Sequence, residues 1–351
     1  MYKTARMMLL LAFLCVKLDI RAQEGDAETR KIEWGGELTT EMQFANSGKV
    51  NFANVLRLHT CIPINGDISL DISTLSTYMT SEESIGEDLQ TFSNLDADNT
   101  LLTLSVCGIN WEIDRKNTLF LGVRNMNEDY FASDLTSLFT NSSCGIFPTL
   151  SANYPIANYP LASVGVHYRY EQSLTSGDSR IIVQGSLYNG LGHNRFAGRE
   201  NVFRFCPKND GLFGLTQIEY QHKGNCYFLG ACGRNGYDDE ATGRQFGTAL
   251  WTYVEQRLSD NLYLIANYSH AFGSSSFCTD FFGLGGRYSW KGCELGLFSD
   301  YARFADSDEF ATELTMKIGI SNHVHIQPAV HLISTDSHFH SAALLRLGVE
   351  F

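Results

Sequence analysis

The residues able to do chemistry are ionisable side chains spaced among apolar ones: Arg57, Arg124, His167, Arg169, Glu219, Glu255, Arg287, Arg346 and Glu350. Two tyrosines in the run ANYPIANYPLA, Tyr154 and Tyr159, add flat apolar faces tipped with hydroxyls. Together they supply donors, acceptors and ring surfaces, which suits reversible hydrogen bonding and stacking more than bond making. Neither GxSxG nor HExxH occurs, so two common hydrolase arrangements are absent. His323 and His325 lie two apart on one strand face, His338 and His340 fall at a loop, and two ligands do not make a metal site. The chain is therefore expected to be no enzyme, with no catalytic residue, metal or cofactor.

These side chains are positioned by segments of period two. In VHIQPAVHL, Val324, Ile326, Pro328, Val330 and Leu332 share one face, while His325, Gln327, Ala329 and His331 share the other. In VGVHYRY, Val164, Val166, Tyr168 and Tyr170 oppose His167 and Arg169; in LTQIEYQ, Ile218 and Tyr220 oppose Gln217, Glu219 and Gln221. The closing LLRLGVEF sets Leu345, Leu347, Val349 and Phe351 against Arg346 and Glu350. An edge strand of a sandwich could show such alternation once. Repeated along the chain, it puts polar groups where a dry core would penalise them and a wet lumen would not.

Sixteen such strands are predicted: 33–45, 52–61, 67–77, 101–113, 117–126, 163–171, 180–188, 212–221, 225–232, 247–257, 261–270, 280–289, 293–301, 310–320, 324–332 and 341–351. Tight connections follow strands two, four, eight, ten, twelve and fourteen (PING, DRKN, QHKGN, LSDN, SWKG, SNH). Long ones follow odd strands: 78–100, 127–162, 189–211, 233–246, 271–279, 302–309 and 333–340. A sandwich has no reason to alternate so; a barrel between two compartments does. The expected fold class is an all-β transmembrane antiparallel barrel of about sixteen strands, with long outer loops.

Composition agrees. Of 351 residues, 23 are Phe, 16 Tyr and 31 Gly but only six Pro, which favours strands. The formal charge of −13 argues against nucleic acid as partner. Lys3 and Arg6 precede an apolar run from Met7 to Val16, so residues 1–22 read as a signal peptide, with charged Lys17, Asp19 and Arg21 as departures. Residues 23–32 form a short polar N-terminal segment and 33–351 the barrel. Beyond residue 16, no run is apolar and long enough for a membrane helix. The eight cysteines after Cys15 are scattered and read mostly as small wall residues, with a Cys144–Cys206 bridge as an alternative. The acidic run Asp238, Asp239 and Glu240 reads as a solvated part of the fifth outer loop.

The third outer loop, 127–162, is predicted to fold into the lumen, because DYFASDLTSLF sets Phe131, Leu135, Leu138 and Phe139 on one side at helix-like spacing. A cap lying outside the barrel is the other reading. The run ANYPIANYPLASVGVHYRYE, together with GGELTTEMQFANSGKVNFANVLRL, ELTMKIGISNHVHIQPAVHLI and the closing LLRLGVEF, resembles the carbohydrate-selective porin family of Gram-negative outer membranes. The resemblance spans roughly residues 33–351. It implies a sixteen-stranded barrel in the bacterial outer membrane that passes small carbohydrates passively. It implies outer-membrane lipid, lipopolysaccharide and the barrel assembly machinery, which reads terminal phenylalanines, as partners. A homotrimer is compatible with the size, though no interface signature marks one. Alternating strands place Arg57, Arg124, His167, Arg169, Glu219, Glu255, Arg287, Lys317, Arg346 and Glu350 in the lumen. Tyr154 and Tyr159 are then sugar platforms or wall anchors. A general porin, a hydrophobic-compound transporter and an adhesin remain the alternatives; a polar segment at 23–32 makes a poor transporter plug.

Overall fold

The computed structural model describes residues 31–351 except 82–83, 175–177, 240–242, 274–275 and 337, with only the backbone described at 237–239 and 243–245. The expected signal peptide and most of the segment 23–32 lie outside the described residues.

Sixteen antiparallel strands close into one barrel, each paired with its sequence neighbours and β1 with β16. They are β1 (Glu33–Ala45), β2 (Val50–Pro63), β3 (Ile68–Met79), β4 (Thr100–Glu112), β5 (Asn117–Arg124), β6 (Ser163–Ser173), β7 (Ser179–Asn189) and β8 (Leu212–His222). Then follow β9 (Asn225–Asp239), β10 (Gly243–Arg257), β11 (Leu262–Phe272), β12 (Cys278–Trp290), β13 (Cys293–Phe304), β14 (Asp308–Ser321), β15 (Val324–Thr335) and β16 (Phe339–Glu350). Closure leaves no edge of unpaired backbone, which a membrane-spanning sheet requires.

Two chemistries separate across the wall. Leu345 and Leu347 on β16, Val330 and Leu332 on β15, and Leu295 and Leu297 on β13 all expose a third or more of their surface outward. Trp34, Trp111, Tyr220, Tyr288 and Trp290 gather at the tight-turn end, while Phe44, Phe52, Phe246, Phe272, Phe310 and Phe339 gather at the other. Two aromatic girdles around an apolar belt are the signature of a barrel standing in lipid. The alternate residues turn inward: Glu37 pairs with Arg57 across β1–β2, Gln327 with Arg346 across β15–β16, and Glu294 with Lys317 across β13–β14.

Three departures from the sequence reading have local causes. The segment 233–246 is mostly strand, because β9 and β10 continue pairing to Asp239 and Gly243. Asp238 and Asp239 thus lie on β9, and Glu240 is outside the described residues. The connections 305–307 and 336–338 are likewise short, so long outer loops are confined to 80–99, 125–162 and 190–211. DYFASDLTSLF forms no α-helix: Phe131 has φ +63, outside the helical region, and only a single 3-10 turn forms at Thr136–Leu138. All eight cysteines described are free, Cys144 and Cys206 included, so the alternative bridge does not form.

The main hydrophobic core lies inside the barrel. Phe131, Leu135, Leu138, Phe139, Phe147 and Leu150 of the 125–162 loop are buried against Phe213, Phe228, Trp251, Ile265, Phe281 and Phe298 of the wall. Ring centroids of Phe131–Trp251, Phe139–Phe298 and Phe147–Phe281 lie 5.1, 5.2 and 5.4 Å apart. Gly230 makes room for this packing, because a Cβ there would enter the Trp251 indole.

Candidate functional site: a lumen narrowed by two loops

The third loop does fold inward, as expected, and it spans the lumen from β5 to the opposite wall. At its near end Arg124 forms a two-pronged pair with Asp129, at 2.6 Å for each contact. His167 Nε2 lies 3.4 Å from the same carboxylate, while its Nδ1 is 2.8 Å from Ser186 Oγ. Midway, Ser133 hydrogen bonds Glu255, and Tyr253 donates to the same carboxylate. At the far side Glu313 of β14 accepts from Thr140 N (2.8 Å), Asn141 N (2.9 Å) and Thr140 Oγ1 (2.9 Å). Gln327 donates to Thr315 Oγ1 at 2.9 Å and also reaches Leu138 O. A carboxylate receiving two consecutive backbone amides fixes a loop tip as a capping residue fixes a helix end.

A second loop, 80–99, also folds inward, and nothing in its sequence announced this. Glu309 accepts from Leu89 N at 2.7 Å and Gln90 N at 3.1 Å. Ser93 Oγ donates to Glu41 at 2.7 Å, and Gln90 Nε2 donates to Asp300 at 2.8 Å. Asn94 N donates to Thr140 O at 2.7 Å, so the two loops are tied together. Arg346 completes the knot, reaching Glu41 at 2.5 Å and Asn94 Oδ1 at 2.6 Å.

Between these loops and the wall of β1–β3 and β14–β16 remains a cavity of about 740 Å³. Glu37, Lys317, His325 and Glu350 border it toward the tight-turn end; Arg57, Gln327 and Arg346 follow, then Asn94, Asp96 and Ser142. Arg57 is ion-paired with Glu128 of the third loop yet stays partly exposed. Tyr159 gives its hydroxyl to Leu95 O at 3.0 Å and borders the cavity.

Of the residues singled out from sequence, the structure therefore gathers Arg57, Tyr159, Lys317, Arg346 and Glu350 at one cavity. Arg124 and His167 are placed at the foot of the third loop. Tyr154 is buried, at 7% exposure, with the Arg234 guanidinium 5.7 Å above its ring and Gly247 beneath it, which is an anchor's position. Glu219 and Glu255 face a separate cavity of about 480 Å³ near the tight-turn rim, together with Arg180 and His222. Arg169 pairs with Glu171 at 2.7 Å beside Lys116, and Arg287 with Glu294 at 3.0 Å beside the Tyr263 ring. Sequence reasoning missed Glu37, Asn94 and Asp96; only parity with Arg57 could have found Glu37.

Burial pushes the Asp96 carboxyl up to about 7, with the neighbouring Glu41 charge adding to the effect and Gln43 opposing it. Its Oδ1 accepts from Gln43 Nε2 at 3.0 Å, and its Oδ2 meets no protein donor among the described residues. The group is negative above that pH and neutral below. Reversal-potential measurements across a KCl gradient should show cation preference falling as pH drops from 8 to 6. Asp96→Asn should flatten that step; a step of unchanged size in Asp96→Asn would assign it elsewhere.

A closed sixteen-stranded barrel with an apolar belt, a wet lumen and an inward third loop defines the fold of the bacterial outer-membrane porins. Comparison with solved structures agrees. The chain is similar to the high-pH structure of Pseudomonas putida OprB, with TM-score 0.76 and 12% identity over 91% of this chain and 94% of that one. It is similar also to the anion-selective porin from Comamonas acidovorans, with TM-score 0.60 and 11% identity over 92% and 99% of the two chains. OmpT of Vibrio cholerae, an outer membrane protein in its trimer form, gives TM-score 0.59 and 10% identity over 92% and 99%. At these identities the likeness is one of fold, and at that level it bears out the resemblance to the carbohydrate-selective porins read from the sequence. No family model matches the chain. No curated protein matches it either.

Proposed function

We propose that the chain is a passive channel of the outer membrane that prefers small carbohydrates. The observation that carries this reading is the mixed lining of the 740 Å³ cavity: Arg57, Lys317 and Arg346 beside Glu37, Asp96 and Glu350, with Asn94 and Gln327 between and Tyr159 at the border. A sugar presents hydroxyls needing donors and acceptors together with a C–H face that suits an aromatic ring. A lining of one sign would instead favour ions of the other sign. Arg57, Tyr159, Arg346 and Glu350 are the residues that would touch the solute. Arg124, Tyr154, His167 and Glu255 would act through the loop they hold, while Arg169, Glu219 and Arg287 would border the path nearer the tight-turn rim. Lipid around the belt follows from the fold; the assembly machinery and a trimeric state belong to this proposal.

Liposome swelling with refolded protein tests it. Neutral mono- and disaccharides should enter faster than amino acids and salts of matched size, and Arg57→Ala should reduce that advantage. Equal rates for all solutes would leave a general porin and remove the preference for sugars.

A further inference from the structure

The loop 190–211 leaves the rim between β7 and β8, first packing on the third loop, where Gly192 N donates to Pro155 O at 2.9 Å. Its middle then turns outward. Val202, 1% exposed, packs with Leu104, Val123 and Ala162, and Cys107 and Val164 lie against the same cluster. Val123 and Val164 face each other on β5 and β6, one residue out of phase with the inward Arg124 and Ser163. They therefore belong to the outward set. Further down the same wall, Ile109 and Leu121 are 37% and 52% exposed, so the cover is confined to the outer rim. The loop is a flap lying on the outside of the barrel.

Its far side is aromatic and basic. Phe196, Phe203 and Phe205 are 51%, 50% and 60% exposed. Arg204 staples the flap, holding Asp210 at 2.7 and 2.8 Å and donating to Arg199 O at 2.9 Å. Arg195 and Arg199 stay exposed. In a chain of charge −13, this stretch carries four basic residues (Arg195, Arg199, Arg204, Lys208) against Glu200 and Asp210. Phenylalanines beside guanidinium groups at a membrane rim match the boundary between acyl chains and anionic head groups.

We infer that this flap docks the phosphorylated head group of an outer-leaflet glycolipid, with the phenylalanines in the acyl boundary and Arg195 and Arg199 on the phosphates. The inference rests on the outer-membrane reading, and is independent of which solute the lumen passes. The test is native mass spectrometry of the full chain in detergent with bis-phosphorylated lipid A, run beside its dephosphorylated form. Wild type should retain lipid A, and the double variant R195Q/R199Q should lose on the order of tenfold in retention. The triple variant F196S/F203S/F205S should lose retention too. Both variants should keep heat-modifiable migration and wild-type sugar swelling, which separates this outcome from a failure of the channel reading. Equal retention of the dephosphorylated lipid, or unchanged retention in folded variants, would overturn the assignment. So would loss of an oligomer in the variants with lipid retention intact, which would give the flap to a second copy of the chain.

Discussion

Replacing Glu313 by alanine is expected to widen the channel while leaving the barrel closed. At the end of its crossing the third loop gives Thr140 N, Thr140 Oγ1 and Asn141 N to this carboxylate, while the Asn141 side chain donates to Asp300 at 2.8 Å. With the acceptor gone, two buried amides lose their partner, each at a cost of about 1–3 kcal/mol, while the Thr140 hydroxyl keeps only His331 Nε2 at 3.0 Å. The loop can relieve that cost only by moving its tip toward water. Asn94 of the second loop is bonded to Thr140 O and would loosen with it. The ladders of β13–β14 and β14–β15 use backbone groups and stay intact. Trisaccharide swelling should therefore rise at least about threefold, with loss of the preference among small solutes. Glu313→Gln, which keeps one acceptor but turns an NH2 toward a loop N–H, should give a smaller change in the same direction. A Glu313→Ala barrel with the wild-type size limit would mean that the aromatic packing of Phe139 and Phe147 and the remaining ties, Gln327 to Leu138 O among them, hold the loop without the carboxylate.

Removing Arg346 should give the second large effect, on stability. Its partner Glu41 is fully buried and also accepts from Ser93 Oγ at 2.7 Å and Gln43 Nε2 at 2.9 Å. Arg346→Met leaves that carboxylate without its countercharge. A fully buried pair broken on one side loses several kcal/mol, and water in the adjoining cavity brings this to roughly 2–3 kcal/mol. The midpoint of the heat-induced gel shift should fall in Arg346→Met and recover much of the loss in Glu41→Leu/Arg346→Met, where no lone charge remains. A double variant less stable than the single would show that Glu41 works through Ser93 and Gln43 and not through the ion pair.

Both predictions concern contacts between distant parts of the chain, and there the sequence was silent. Strand number, their approximate limits and the inward and outward faces were legible, because each is set by side chains two residues apart along one segment. The lining of LLRLGVEF is an example: Arg346 and Glu350 turn inward and Leu345 and Leu347 outward, as its alternation requires. The inward fold of the third loop was legible too, from apolar residues in a connection too long to be left in water. Its conformation was not, because Phe131, Leu135 and Phe139 are spaced as a helix yet are placed by pockets in the opposite wall. Length of connection was misread at 233–246, where Gly, Asn and Asp mimic a turn while cross-strand pairing carries β9 and β10 onward. Which lumenal charges border the open cavity was decided only in three dimensions. Period two sends Arg124 and Arg57 to the same side of the wall, but Asp129 of the third loop covers the first, and the two inward loops leave the second open to the cavity. A sequence records the face a side chain takes; its neighbour across the lumen depends on closure of the whole barrel.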